Sequence, residues 1–340
     1  MTAPEDLATL FPGEPRFRAD QLRRWLYETP VLDASDMTNL PQNIRDRLGS
    51  LWPFALEEQQ VSGDGRTVKW LFRAPDGAAI EAVLMGYRKR VTLCISSQAG
   101  CAMGCTFCAT GQFGFERHLD AGEIFAQVAY AGAYLNSHPL PGSPGRLGNV
   151  VFMGMGEPLA NYRNVREAIR RMVEIMGMSA RSITVSTVGV LPGMKKLAEE
   201  PWPVTLALSL HAADDDLRSS IVPLNSRYPI DDLIDAAAAF QRDKGRRVSI
   251  EWTLIEGVND TPEQATALAA IAMELGAHVN VIALNPTPLS PMRPPKARTV
   301  DAFVARVDRA GANVTLRDTR GRDIDAACGQ LRARRDTRPD

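Results

Sequence analysis

Six short apolar, β-branched runs, at residues 91–95, 150–153, 183–185, 204–210, 248–254 and 279–284, recur along the chain with helical patterns between them. This rhythm leaves few folds open. The intervening segments, among them 121–134, 165–175, 230–240, 262–275 and 300–310, carry apolar residues at helical spacing. Strand and helix in alternation predict parallel β-α units, because a parallel neighbour is reached only through a crossover. Six such units close wholly or partly into a barrel, or spread as a doubly wound sheet. The ends of the predicted strands decide between the two. The first runs into Cys94 and a cysteine-rich loop, the second into Gly154-Met155-Gly156-Glu157-Pro158, the third into Ser186-Thr187, the fourth into Ser209-Leu210-His211 and the sixth into Asn285-Pro286. Chemically able residues at five strand ends fit the shared mouth of a β/α barrel better than a nucleotide fold, which binds at one switch point.

The first part of the chain has a different pattern. Residues 18–27 predict a helix with Leu22, Trp25 and Leu26 on one face, and Leu40-Pro41 precedes a second helix carrying Ile44 and Leu48. Residues 68–72 and 80–85 flank Pro75-Asp76-Gly77, a hairpin signature. The expected organisation is a helical accessory domain at 1–58, a β-hairpin connector at 59–86, a barrel core at 87–325, and a C-terminal segment at 326–340 whose charged tail, 332–340, is expected to be disordered.

The loop after the first strand carries Cys101-Ala-Met-Gly-Cys105-Thr-Phe-Cys108. Three thiolates within eight positions can hold one metal centre. A structural zinc site wants a fourth ligand, whereas a four-iron cluster on three cysteines keeps one iron open for chemistry. Each of the other signals has a plain structural reading as well: the glycines of 154–156 as a tight turn, His211 as a satisfied interior residue, and Ser186, Ser209 and Asn285 as caps or turn formers. Cysteine usage points to a reducing compartment: five in all, three clustered, with Cys94 and Cys328 far apart. No run approaches the roughly 20 apolar residues of a membrane span, and Glu5 and Asp6 stand where a signal peptide is positive. The expectation is a cytoplasmic protein with no membrane association, acting as a monomer. A net charge of −1 excludes a global basic signature for nucleic acid. RNA contact must come from local groups such as Arg88-Lys89-Arg90, the arginines at 163, 166, 170 and 171, Arg320 with Arg322, or Arg18, Arg23 and Arg24 in the helical region.

The Cys-x3-Cys-x2-Cys loop after one strand and the Gly-Glu motif after the next resemble the radical S-adenosylmethionine superfamily, whose fold is a partial β/α barrel. Longer strings narrow the resemblance. Thr92-Leu93-Cys94-Ile95-Ser96-Ser97-Gln98-Ala99-Gly100-Cys101, Phe152-Met153-Gly154-Met155-Gly156-Glu157-Pro158-Leu159, Ala207-Leu208-Ser209-Leu210-His211-Ala212, Gly257-Val258-Asn259-Asp260, and the stretch from Arg320 through Cys328-Gly329-Gln330-Leu331 are similar to the dual-specificity RNA adenine-C2 methyltransferases over nearly the whole chain.

The resemblance implies one 4Fe-4S cluster on Cys101, Cys105 and Cys108 and two S-adenosylmethionine molecules per turnover. It places the cosubstrate on Gly156, Glu157, Ser186, Ser209, Leu210, His211 and Asn285. It implies that Cys328 carries a methyl group as S-methylcysteine, that a methylene radical formed there adds to C2, that Cys94 resolves the adduct through a transient disulfide with Cys328, and that Glu81 is the proton acceptor. C2 lies between two ring nitrogens and is too electron-poor to attack a sulfonium methyl group, so a radical route is required. The implied substrates are adenine 2503 of 23S rRNA, before ribosome assembly is complete, and adenine 37 of certain tRNAs. The implied electron donor is a flavodoxin or ferredoxin. Taking an adenine out of its stack suits single-stranded loops better than duplex. Two alternatives stand beside this one: a sister activity that methylates C8 and confers antibiotic resistance, and a zinc-stabilised, non-catalytic RNA-binding module with Cys94 as the fourth ligand.

Overall fold

The computed structural model describes residues 1–48, 51–317 and 320–331. The expected tail at 332–340 lies outside them. The chain opens with α1 (Arg16–Arg23), which runs on as a π turn over Arg24–Glu28, and α2 (Gln42–Leu48). Leu22, Leu26 and Ile44 are buried and Trp25 packs against the same core, so the predicted apolar stripes face inward. Three antiparallel strands follow: β1 (Ala55–Val61), β2 (Thr67–Arg73) and β3 (Ala79–Tyr87). The Pro-Asp-Gly turn joins β2 to β3. Asp76 Oδ1 accepts from Ala78 N at 3.0 Å, and Gly77 takes φ 88°, the left-handed region open to glycine.

β4 (Arg90–Cys94) pairs antiparallel with β3 and parallel with the rest of the sheet, so it is the seam between the two patterns. Beyond it come the small hairpin strands β5 (Gln98–Gly100) and β6 (Phe115–His118), with α3 (Ala109–Gln112) between them. α4 (Ala121–Ser137) starts with a reciprocal capping box of Asp120 and Glu123. The alternation then proceeds as β7 (Asn149–Phe152), α5 (Tyr162–Arg170), β8 (Ile183–Thr187), α6 (Leu191–Glu199), β9 (Thr205–Ser209), α7 (Asp215–Ile221), α8 (Ile230–Lys244), β10 (Ser249–Leu254), α9 (Pro262–Leu275), β11 (His278–Ala283), α10 (Ala297–Arg309) and β12 (Asn313–Leu316). All strands but β5 and β6 form one ten-stranded sheet in the order β1-β2-β3-β4-β7-β8-β9-β10-β11-β12. Its seven parallel strands, β4 and β7 to β12, make the partial barrel.

The six predicted parallel strands are present, and β12 is a seventh. Its four residues are exposed or half-buried at the sheet edge, so no apolar run marks them. The short polar helix α7 and the Pro-Gly-containing α6 also carry too little periodicity to read from sequence. No helix among the described residues is long and apolar enough to cross a membrane.

One aromatic cluster ties the antiparallel strands to the barrel. Trp70 of β2 is fully buried, with its ring 5.3 Å from Tyr130 and 5.1 Å from Tyr134 of α4, both edge-on. Trp70→Ala is expected to cost about 3–5 kcal/mol, as such truncations do in packed cores. A urea unfolding midpoint close to that of the parent protein would show that this cluster does not hold the two parts together.

Candidate active site at the carboxyl edge of the sheet

The loops after the parallel strands enclose a cavity with about 900 Å³ free of protein atoms, counting its open mouth. Cys101, Cys105 and Cys108 line one side, and Gly154, Gly156, Glu157, Ser186, Ser209 and His211 line it from the ends of β7, β8 and β9. Cys328 also opens onto it from the C-terminal loop. A second, smaller cavity adjoins the first and contains Cys94 and Cys328. All five cysteines are free thiols, so the expected Cys94–Cys328 disulfide is not formed in this structure.

Backbone packing explains the glycines of the Gly154-Met155-Gly156 turn. Gly154 N donates to Ile95 O, and a Cβ on Gly154 would come within 2.6 Å of that oxygen. Gly156 has φ 95°, and a Cβ there would meet Gln98 Cβ at 2.5 Å. The turn is the tight turn expected from the sequence. Its glycines admit the loop that follows β4, which leads to the cysteines.

Glu157 is nearly fully buried. Its Oε1 accepts from Leu159 N at 2.9 Å, its Oε2 from Val188 N at 3.0 Å, and the Thr187 hydroxyl adds a third bond. Burial nevertheless prevails over these donors and raises its pKa to about 7. His211 adopts φ 63°, uncommon for a residue with a side chain. Its Nδ1 accepts from Thr253 N at 3.0 Å, which leaves the ring proton on Nε2, and burial with the charge of Arg218 lowers its pKa to about 3. The ring is a neutral hydrogen-bond donor. The Ser186 and Ser209 hydroxyls are 3.2 Å apart. Burial pushes the Cys101 thiol up to about 12 and the Cys105 thiol well above its ordinary value.

Three expected site residues lie elsewhere. Leu210, the residue after β9, is fully buried in the main core, while Ser209 and His211 on either side of it line the cavity. Asn285 lines the second cavity, where its Nδ2 donates to Cys328 O at 3.1 Å. Glu81 lines neither cavity. It pairs with Lys69 at 3.3 Å, and Lys69 Nζ also reaches Asp325 O at 3.3 Å, so the pair is tied to the C-terminal loop. Cys94 packs with Val83, Met155, Ala326 and Leu331 in a cluster separate from Cys105 and Phe107. This removes it as a fourth ligand to the other three thiols and with it the zinc-module reading.

Sequence reasoning passed over Glu251 and Arg317. Glu251 is the one charge inside the apolar run of β10, which could have flagged it. Its Oε1 accepts from Asn280 Nδ2 at 2.8 Å and from Ser249 Oγ at 3.2 Å, and its Oε2 pairs with Arg317 Nη1 at 3.3 Å. Arg317 lines both cavities. Burial raises the Cys94 thiol above its ordinary value; Cys328, although exposed to the cavities, is raised by their poorly solvated walls, and the Arg317 guanidinium opposes the rise at both.

The donor set suits a multi-iron cluster. Three thiols share one wall with the apolar side chains of Met103 and Phe107, while the facing strand ends offer hydroxyls, a carboxyl and an imidazole N–H. Among the described residues no three His, Cys, Asp or Glu side chains gather closely enough to hold a single ion. Cluster ligands need no such convergence, since each thiolate binds its own iron.

The radical SAM superfamily matches residues 95–269, and the ribosomal RNA large subunit methyltransferase N-terminal domain matches residues 5–52. A crystal structure of a radical SAM methyltransferase from Sphaerobacter thermophilus superposes with a TM-score of 0.91 at 46% identity, over 97% of this chain and 96% of that one. The fold and site are those of a radical SAM enzyme, with its four-iron cluster and S-adenosylmethionine. The probable dual-specificity RNA methyltransferase RlmN of Parafrankia sp. is 51% identical over 94% of this chain and 87% of its own length; that of Salinispora tropica is 49% identical over 94% and 88%. The chain belongs to this RlmN family.

Because Gly156 carries both a positive φ and a close neighbour, Gly156→Ala is expected to cost about 1–3 kcal/mol and to draw Glu157 from its backbone donors. Unchanged thermal stability together with unchanged S-adenosylmethionine affinity would show that the turn tolerates a side chain.

Proposed function

We infer that the protein methylates C2 of adenine in large-subunit rRNA and in tRNA, at the positions that the resemblance implies, with Cys328 as carrier of the transferred carbon. The observation that carries this reading is the placement of Cys328. Among the described residues it is the thiol that opens onto both cavities, the one lined by the cysteine triad and the one holding Cys94. A carbon carrier must meet the cosubstrate on one side and its resolving partner on the other.

Cys101, Cys105 and Cys108 hold the cluster. Gly156, Glu157, Ser186, Ser209 and His211 hold S-adenosylmethionine. When bound, the cluster and cosubstrate supply a 5′-deoxyadenosyl radical by one-electron cleavage of the sulfonium. The remaining work falls to side chains. Glu157 has about four acceptor sites, of which backbone and Thr187 occupy three, leaving one for the cosubstrate ammonium. His211 donates its Nε2 proton to the bound ligand, and the Ser186–Ser209 hydroxyl pair offers donors and acceptors for ribose and carboxylate.

Arg317, anchored by Glu251, faces Cys328 and Cys94 and favours the thiolate at each when its turn as nucleophile comes. Asn285 fixes the carbonyl of Cys328 rather than the adenine side of the cosubstrate. Once the adduct has passed one electron back to the redox centre, Glu81, its carboxylate linked to the Cys328 loop through Lys69, takes the C2 proton. The Cys94 thiolate then attacks Cys328 sulfur, the S–CH2 bond breaks with its electron pair passing to the base, and the freed carbon takes up a proton as methyl while the transient disulfide forms.

The arginines at 166, 170 and 171 are engaged within the protein, with Glu200 and Glu167. Arg88, Lys89 and Arg90 are exposed on the turn after Tyr87, a residue lining the second cavity. Arg90 and Arg320 both pack on the Tyr87 ring, at 4.5 and 4.6 Å. This edge suits RNA phosphates. The protein acts as a cytoplasmic monomer that draws electrons from a flavodoxin or ferredoxin.

Cys328→Ala is expected to retain iron and sulfide and to lose 2-methyladenosine formation at least about 1,000-fold, in keeping with removal of a covalent nucleophile. Nucleoside analysis of treated RNA reads this directly. Methylation persisting at the parent level would refute the carrier role, and 8-methyladenosine as sole product would reassign the chain to the C8 activity.

A second expectation concerns pH. An ammonium binds the ionised form of Glu157, and its pKa of about 7 leaves that form in the minority below neutrality. S-adenosylmethionine affinity should therefore rise with pH, up to about tenfold per unit below 7, and level off near 8. Calorimetry on the cluster-loaded protein showing affinity flat from pH 6 to 8 would remove Glu157 from that contact.

A further inference from the structure

Arg218 is fully buried, among the largest side chains with no exposure. Its Nε donates to Leu210 O at 2.9 Å, its Nη1 to Asn225 Oδ1 at 2.7 Å, and its Nη2 to Val188 O at 2.7 Å and Ser209 O at 3.2 Å. Every one of these acceptors is neutral. Among the described residues no carboxylate stands within 4.0 Å of the guanidinium. The exposed Asp215, hydrogen-bonded through Asn225, whose Nδ2 donates to Asp215 Oδ1 at 2.9 Å, acts on the guanidinium only from a distance, as a weaker charge partner than Cys105. A buried cation satisfied by neutral groups alone is costly, and such a charge is ordinarily paired.

Its surroundings supply the missing anion. α7, which carries Arg218, is docked on the cysteine loop: Thr106 N donates to Ile221 O at 3.1 Å, and Gly104 lies against Pro223. Cys105 and Phe107 pack with Ala212, Ile221 and Val222 in one apolar cluster. Arg218 and Cys105 act on each other electrostatically through this poorly solvated layer, each favouring the charged form of the other. Arg218 does not line the cavity, so it serves no ligand directly. It stands behind the cysteine wall as a fixed positive charge.

We propose that Arg218 is the built-in counter-charge of the iron–sulfur site, a positioning residue whose buried guanidinium sets how readily an electron is accepted at Cys101, Cys105 and Cys108. The inference rests on the reading of those three cysteines as cluster ligands. An electron delivered by an external one-electron donor adds one negative charge to a site already bearing thiolates, with little water to screen it. A fixed cation nearby stabilises that added charge, and its neutral hydrogen-bond partners, with only the exposed Asp215 acting on it from a distance, leave most of its field available. The four fixed acceptors also prevent the guanidinium from swinging into the cavity, where it would compete for the cosubstrate carboxylate.

The test is a mediated redox titration of protein reconstituted anaerobically with iron and sulfide, followed by electron paramagnetic resonance, on the parent chain, Arg218→Met, Arg218→Lys and Asn225→Asp. Arg218→Met is expected to lower the ratio of reduced to oxidised cluster at a fixed potential about tenfold, a downward shift of about 59 mV for one electron. Arg218→Lys, which keeps the charge, should stay near the parent value. Asn225→Asp leaves Arg218 in place but sets a carboxylate against its Nη1, so it should move the midpoint downward as well; it reads the same charge should Arg218→Met fail to fold. An unmoved midpoint in the charge-changing variants that retain full iron and sulfide overturns the proposal, as does an Arg218→Lys midpoint that falls as far as that of Arg218→Met. A parent chain that takes up no four-iron cluster would instead overturn the ligand reading on which the proposal rests.

Discussion

Parallel pairing is the constraint on which the rest of this structure depends. A parallel strand can join its neighbour only after the chain has crossed back over the sheet, so all seven parallel strands finish on the same edge. Along that edge the ladder hydrogen bonds stop, and backbone and side-chain polar groups need other partners. The protein supplies them from its own loops. Ser96 Oγ accepts from Met155 N at 2.9 Å and donates to Glu81 O at 2.6 Å, and Asn161 Nδ2 donates to both Ser97 O and Leu119 O at 2.8 Å. Gln98 Oε1 accepts from Glu157 N at 2.8 Å. The loops after β4 and β7 are thereby stitched to each other before any ligand arrives, and the cavity wall is built from backbone held at fixed spacing.

What the sequence disclosed followed from rules that act locally. Cysteine spacing within one loop, apolar runs of strand length and the turn chemistry of Pro75-Asp76-Gly77 each depend on near neighbours, and each was readable. Relations across the sheet were not. Leu210 sits between two cavity-facing residues just past the end of β9, and its own apolar character marks it for the core. Asn285 gave no such clue, since its partner is the carbonyl of a residue 43 positions away. Lys69 and Glu81 lie on adjacent strands, but the register that brings Leu71 opposite Glu81 is set by the length of the intervening turn. β12 escaped because an edge strand needs no continuous apolar run, and Arg317 escaped with it.

Charge is distributed around the site with a consistent logic. Three cationic side chains approach it, and each is held by a different kind of partner. Lys69 is paired directly with Glu81, which keeps both side chains buried at the base of the C-terminal loop. Arg317 is paired with Glu251, itself held by Asn280 and Ser249, so the guanidinium is aimed while its charge is only partly offset. Arg218 has only neutral hydrogen-bond partners. The degree of compensation thus falls from Lys69, through Arg317, which lines both cavities, to Arg218 behind the cysteine wall. On the proposed function the least compensated cations are those set beside thiols where negative charge forms, and a cation that is already neutralised can stabilise no further charge.

The C-terminal loop shows how two sites are kept in register. Ala109 N, one residue past Cys108, donates to Gly329 O at 2.8 Å, and Thr110 Oγ1 donates to Leu331 O at 2.7 Å. Asn285 Nδ2 donates to Cys328 O and Gln330 Nε2 to Pro286 O at 3.3 Å, which fixes the same loop to the end of β11. Cys328 is therefore referenced to the segment that follows the third clustered cysteine more directly than to any strand of the sheet. On the proposed function, a thiol that passes a carbon from one cavity to the other gains from this arrangement. The same hydrogen bonds that tie the loop to the segment after Cys108 and to the end of β11 hold Cys328 at the boundary of the two cavities.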